Sequence, residues 1–318
     1  MKWLLEKLRN GCRVESRGLI ETLAMRMAFA VVVFITFPNP EHIHEFTTQS
    51  DPSGIARFIN LTFLSDLLIY RIFYWVAAVG LLFYAFGVAM PVGLGLVTVF
   101  HILTYSLKNS QGSTTHTMQI VSLVLLTQWV VYLIAIFRKK TFSNPKFTVS
   151  DWSIHFATHI IIGTYVVAGA IKLIRSRGIW IWDSPDIGLE LLKSNAQRFN
   201  DYLQSSPLND RKYEIANWMI DHPWLTRLLL GGGFLLELLA FLALVNRKTL
   251  LVGGILLVSL HVGIESTMGL RFQFNNYLLW IFLINIPFWS LWILGKSRGK
   301  GGAVDLRREP DFPYARRA

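Results

Sequence analysis

Few residues in this chain have chemistry to offer, and most of them sit in or beside long apolar runs. Lys172 lies in AGAIKL (168–173), and His116 closes SLKNSQGSTTH. Glu237 lies in GGGFLLELLA, and Glu265 follows His261 by four residues, on one helix face. Ionisable groups within apolar segments are costly, so they mark function or pair with one another. A lysine shielded from water can act as a base. A neighbouring histidine can relay or stabilise charge. The plain alternative is that Lys172 snorkels to an interface and that His116 is an ordinary loop residue.

Three further residues, Asp151, His155 and His159, recur every four positions and share a helix face. Two histidines so spaced can bind a metal only if further ligands converge. The sequence shows no such convergence, so a polar stripe is expected and no metal. Arg26 and Arg71 are expected to snorkel or pair. The single cysteine, Cys12, excludes an intramolecular disulfide and any cysteine-based metal site.

The elements that must position these groups are membrane spans. The chain has 318 residues, 53% hydrophobic and only 16% charged. Soluble domains carry about 25% charged residues. Here the deficit is concentrated in runs of about 20 apolar residues, the length a span needs. The expected fold is all-α: a polytopic integral membrane helix bundle of about eight spans. They run near 19–37, 64–86, 90–107, 118–137, 152–173, 224–245, 250–267 and 277–294. The N-terminal 1–17, rich in charge, reads as an amphipathic cytoplasmic segment and not as a cleaved signal. Residues 18–295 form the transmembrane domain, and 296–318 a basic cytoplasmic tail.

Orientation follows from lysine and arginine counts in short loops. With the N-terminus inside, the inner segments hold Lys2, Lys7, Arg9, Arg13 and Arg17, then Arg138, Lys139, Lys140 and Lys146, then Arg247 and Lys248, then Lys296, Arg298 and Lys300. The outer loop 38–63 carries Glu41, Glu45 and Asp51 against Arg57. Both termini are therefore expected in the cytoplasm. His116, Lys172, His261 and Glu265 then share the outward leaflet. The formal net charge of +11 is explained by cytoplasmic loops meeting anionic lipid, not by nucleic acid. The stretch 175–223 is the largest piece outside the spans, an extracytoplasmic interfacial segment. Its Asp183-Ser184-Pro185-Asp186 reads as a helix start. Ile187, Leu191, Ala196 and Phe199 suggest one apolar face, and Trp180 and Trp182 fit an aromatic belt. This outward-side amphipathic helix could also be a lid.

AGAIKL (168–173), the Trp-bearing segment after it, GGGFLLELLAFLALV (231–245) and LHVGIESTMGLRFQFNNYLLWIFL (260–283) together resemble the horizontally transferred transmembrane (HTTM) domain. That superfamily includes the membrane part of vitamin K-dependent γ-carboxylases and shorter bacterial proteins. One such branch is similar to proteins that help mature peptide toxins. The resemblance covers roughly 18–295 and is densest over 165–285. It implies that Lys172 matches the base that deprotonates the vitamin K hydroquinone. Lys172 is the second position of the family's lysine pair, and Ile171 stands where the family has the first. His116 matches an assisting histidine, although Thr115 replaces the asparagine before it, and His261 matches the histidine opening the later motif. Glu237, Glu265, Trp180 and Trp182 would then line or orient a bound vitamin K hydroquinone or other quinol. The chain stops shortly after its last span, without the large soluble domain of the carboxylases, so protein γ-carboxylation as such is not expected. Two functions follow. One is a carboxylase- or epoxidase-like membrane enzyme acting on a quinol or other lipophilic substrate. The other is a non-enzymatic accessory protein, for example in export or maturation of a peptide, with a soluble or peptide partner. The bacterial inner membrane is the expected location.

Overall fold

A computed structural model describes residues 14–47, 54–110, 116–138, 142, 146–202 and 207–297. Every extended element among them is helical. Seven helices are long and apolar enough to cross a membrane: Leu19–Thr36, Leu67–Phe86, Met90–Asn109, Met118–Phe137, Val149–Arg175, Arg247–Met268 and Gln273–Gly295. The protein is thus an all-α, multi-pass membrane protein. The amphipathic segment expected over 1–17 falls largely outside the described residues, as does the tail from 298 onward.

The chain divides into two compact units. One comprises residues 12–161 and 277–318, the other residues 1–11 and 162–276. The first unit contains α1 (Leu19–Thr36), α2 (Leu67–Phe86), α3 (Met90–Asn109), α4 (His116–Phe137) and the start of α5 (Val149–Arg175). Asp66 opens α2 by accepting hydrogen bonds from the backbone N–H groups of Leu68 and Ile69. One face of α2 buries Tyr70, Ala77, Leu81 and Tyr84. On the opposite face Leu68, Ile72, Trp75, Val79, Leu82 and Phe86 are exposed, each roughly half or more. That spacing of three and four draws a continuous apolar stripe along the helix. Such a stripe is untenable in water and ordinary against lipid.

Polar groups of this unit are turned inward and joined. Asn285 donates from its side-chain amide to buried Glu21 (2.8 Å), and Glu21 faces Arg17 at 3.8 Å. The Asp151 carboxylate accepts from the Arg17 backbone N–H (2.9 Å) and from Thr148. Arg26 bonds Ser150, which also meets the Tyr132 hydroxyl (2.9 Å). Arg26 is therefore paired and buried, not snorkelling. His155 and His159 lie ring against ring at 4.1 Å. His159 also meets the His155 carbonyl through Nδ1 (2.8 Å). The last span is not a uniform helix. Leu279–Ile284 is π-helical, Asn285 is left-handed at φ 51°, and α-helix resumes over Ile286–Ser297. Pro287 sits in the first turn of that restart, where a missing N–H costs nothing.

The second unit continues α5 and adds α6 (Ile187–Tyr202), α7 (Pro207–Asp221), α8 (Pro223–Leu238) and α9 (Arg247–Met268). The expected sixth span, 224–245, is a composite. The α-helix stops at Leu238, and Ala240–Val245 continues as 3-10 turns. This stretch is therefore not among the seven long apolar helices. The helix expected in the stretch 175–223 is present as Ile187–Tyr202 and forms one arm of a helical hairpin with Pro207–Asp221. Leu191, Ala216 and Met219 form its core, with Ile187, Leu230 and Met268 packed against it. Ala196 and Phe199, expected on the same apolar face as Leu191, are exposed.

Candidate functional site

The second unit assembles its site where α5 meets α8. Gly169 makes the meeting possible. A Cβ there would come within 2.9 Å of the Leu238 backbone nitrogen and 3.0 Å of its Cα. Backbone cannot yield as a side chain can, so only glycine permits this approach. One turn further along α5, Lys172 bonds Glu237, the neighbour of Leu238. The lysine side chain keeps 33% of its surface and the carboxylate 11%. The pair is thus reached from the lysine side and closed behind the carboxylate.

A turn then folds the chain back over the pair. Arg177 and Gly178 both take positive φ, 52° and 87°, and the Gly178 N–H bonds the Leu173 carbonyl (2.9 Å). This is a helix stop of the kind glycine favours. The Ser176 hydroxyl accepts the Trp180 backbone N–H (3.0 Å). The Trp180 ring is thereby held 5.3 Å from the Lys172 ammonium. Its other contact is Phe234, stacked at 5.4 Å and one helical turn before Glu237. The ammonium therefore has a carboxylate on one side and an aromatic face on another, and a cation is favoured over such a face.

His261 occupies a separate pocket of the same unit. It is buried, with Nδ1 2.7 Å from Asn276 Oδ1, an arrangement in which Nδ1–H donates. Its ring stacks on Phe272 at 4.7 Å and lies 5.6 Å from Tyr165. Tyr165 precedes Lys172 by seven residues on α5, so the two share a face about 10 Å apart. Glu265 turns away from His261 to Arg271 at 3.4 Å, and both are well exposed. Trp182 is also exposed. Arg227 donates to its carbonyl (3.1 Å) and lies against both the Trp182 and Trp224 rings, at 5.4 and 5.1 Å, while the rings meet edge to face at 5.9 Å.

Of the residues singled out in the sequence, the structure thus joins Lys172, Glu237 and Trp180. It places His261 with Tyr165, and sets Glu265 and Trp182 apart. His116 begins α4, and its side chain lies outside the described set. Gly169 and Phe234 escaped the sequence reading. Both had a local signal, one turn before a charged residue in the same apolar run. No family model, curated protein or solved structure matches the chain.

Proposed function

We propose that this protein is a vitamin K-dependent carboxylase-like membrane protein. It binds a quinol or other lipophilic substrate beside Lys172, with its termini in the cytoplasm and Lys172 toward the outward face of a bacterial inner membrane. The observation that carries this reading is the Lys172–Glu237 pair, half-open and walled by Trp180. A charged ammonium is not a base. Glu237 is the group to which its proton can go, leaving a neutral amine to take a proton from an acidic hydroxyl. Trp180 and Phe234 supply aromatic surface for a flat ring. Basic residues at four cytoplasmic segments support the orientation. Any assisting role for His116 and His261 rests on the resemblance.

The competing reading is an accessory protein in which the same pair only clamps α5 to α8. It is favoured by the bond to Glu237 that already occupies Lys172. Mass spectrometry of co-purifying lipids and quinones separates the two, using wild type, Lys172→Ala and the exchange Lys172→Glu with Glu237→Lys. The exchange keeps a pair but moves the amine. A quinone or quinol enriched with wild type and lost from a folded exchange variant supports the base. Identical lipid profiles in all three, with the exchange restoring stability, overturn it in favour of the clamp.

A further inference from the structure

Between α8 and α9 the chain turns back at a single residue, Asn246. The α-helix stops at Leu238, Ala240–Val245 continues as 3-10 turns, and α9 starts at Arg247. Asn246 closes the turn. Its side-chain oxygen accepts the Lys248 and Thr249 backbone N–H groups (2.9 and 3.0 Å). The Thr249 hydroxyl accepts the Asn246 N–H (2.9 Å) and donates to the Ala243 or the Asn246 carbonyl (2.9 and 2.8 Å). A Cβ on Gly253 would come within 2.6 Å of the Ala243 Cβ, so α9 and the 3-10 turns touch there.

Beside that contact the two arms part. A groove of about 510 Å³ runs between them, a volume typical of small-ligand sites. Leu235, Leu239, Leu242, Val252 and Leu256 line it, and each is at least a third exposed. Lys248 and Thr249 are the polar members of its described lining. The Thr249 hydroxyl and the first N–H groups of α9 are already taken. The Lys248 ammonium is therefore the group with hydrogens to give. It is exposed and has no ion-pair partner among the described residues. Glu237, the acid nearest to it in the chain, is engaged by Lys172.

Depth selects the occupant. The 22 residues of α9 span about 33 Å, the reach from one membrane surface to the other. Lys248, in the first turn, stands at a surface, where lipid phosphates lie. Leu256, eight residues on, is about 12 Å deeper in hydrocarbon. We infer that the groove binds an acidic phospholipid, its phosphate on Lys248 and one acyl chain between Leu239 and Leu256. An uncharged lipid would fill the groove and leave the ammonium without an anion. A zwitterionic lipid brings a cation of its own to compete, whereas an acidic one offers net negative charge. The site does not depend on any chemistry at Lys172.

The test uses phosphatidylglycerol and phosphatidylcholine with the same acyl chains, each carrying a diazirine on one chain. Full-length protein in a maltoside detergent is titrated with each lipid, and labelling within 232–256 is quantified by mass spectrometry. Phosphatidylglycerol should half-saturate the site at about fivefold lower concentration, the effect of one basic residue near the surface. Lys248→Gln should remove that preference and leave phosphatidylcholine labelling unchanged. At Gly232, in the groove lining, a Cβ would meet nothing within 4 Å. Gly232→Leu thus places a side chain in the groove and should cut labelling by both lipids several-fold. Equal half-saturation on wild type, or a preference that survives Lys248→Gln, overturns the proposal. So does labelling confined outside 232–256, or labelling undiminished by Gly232→Leu in folded protein. Where that variant does not fold, Val252→Trp, from the exposed opposite wall, is judged by the same criterion.

Discussion

Arg26 and Lys172 are both cations inside apolar helices, in different units. Arg26 keeps 8% of its surface and bonds Ser150, within a set that also holds Glu21, Asp151 and Arg17 in mutual bonds. Lys172 leaves a third of its side chain open while its carboxylate is nearly covered. A closed set of buried charges holds helices in register and offers nothing to a ligand. A pair open on one side can exchange a partner. The first unit thus spends its charges on architecture, and the second keeps one available.

The comparison breaks most visibly at Glu21. Glu21→Leu removes the carboxylate that Asn285 donates to and that Arg17 faces, and breaking a buried pair costs about 3–5 kcal/mol. The expected result is a large fall in melting temperature in detergent. A variant as stable as wild type would show that the first unit does not depend on its buried charges. Gly169→Val comes next. Overpacking against immovable backbone costs about 1–3 kcal/mol, and α5 should separate from α8. A cysteine pair introduced at the α5–α8 contact should then crosslink more slowly than in the parent. A double-mutant cycle of Lys172→Met and Glu237→Gln sharpens the contrast directly. The coupling should be about 1–2 kcal/mol, smaller than at Glu21 because the lysine side chain keeps a third of its surface. The smallest effect belongs to Glu265→Ala, whose exposed partner Arg271 should leave stability within about 0.5 kcal/mol of wild type. A larger loss there would mean that surface charge contributes more to this unit than exposure implies.

How much of this was legible in sequence depends on whether each signal was local. The spans were, because about 20 apolar residues admit few readings. The stop at Leu238 was not, since FLALV continues the apolar run without punctuation. The break at Asn285 did leave a mark, the Asn-Ile-Pro of 285–287, because proline resists the helix interior. At the site, Lys172 and Glu237 were both visible, but 65 residues separate them. Composition cannot say that Gly169 lets their helices touch. His101 was a single histidine in VTVFHILTY, and nothing near it announced its bonds to Thr36 and Ser122, which lie 65 and 21 residues away.

The bond between Asn285 and Glu21 joins residues 264 apart. At ribosomal speeds of about 5–20 residues per second, roughly tens of seconds pass between their synthesis. Glu21 enters the bilayer with the first helix, while the amide that completes its surroundings is still unmade. Biogenesis of the first unit therefore cannot finish until the last span arrives, and a chain truncated before Asn285 should be recognised by quality-control proteases as incomplete.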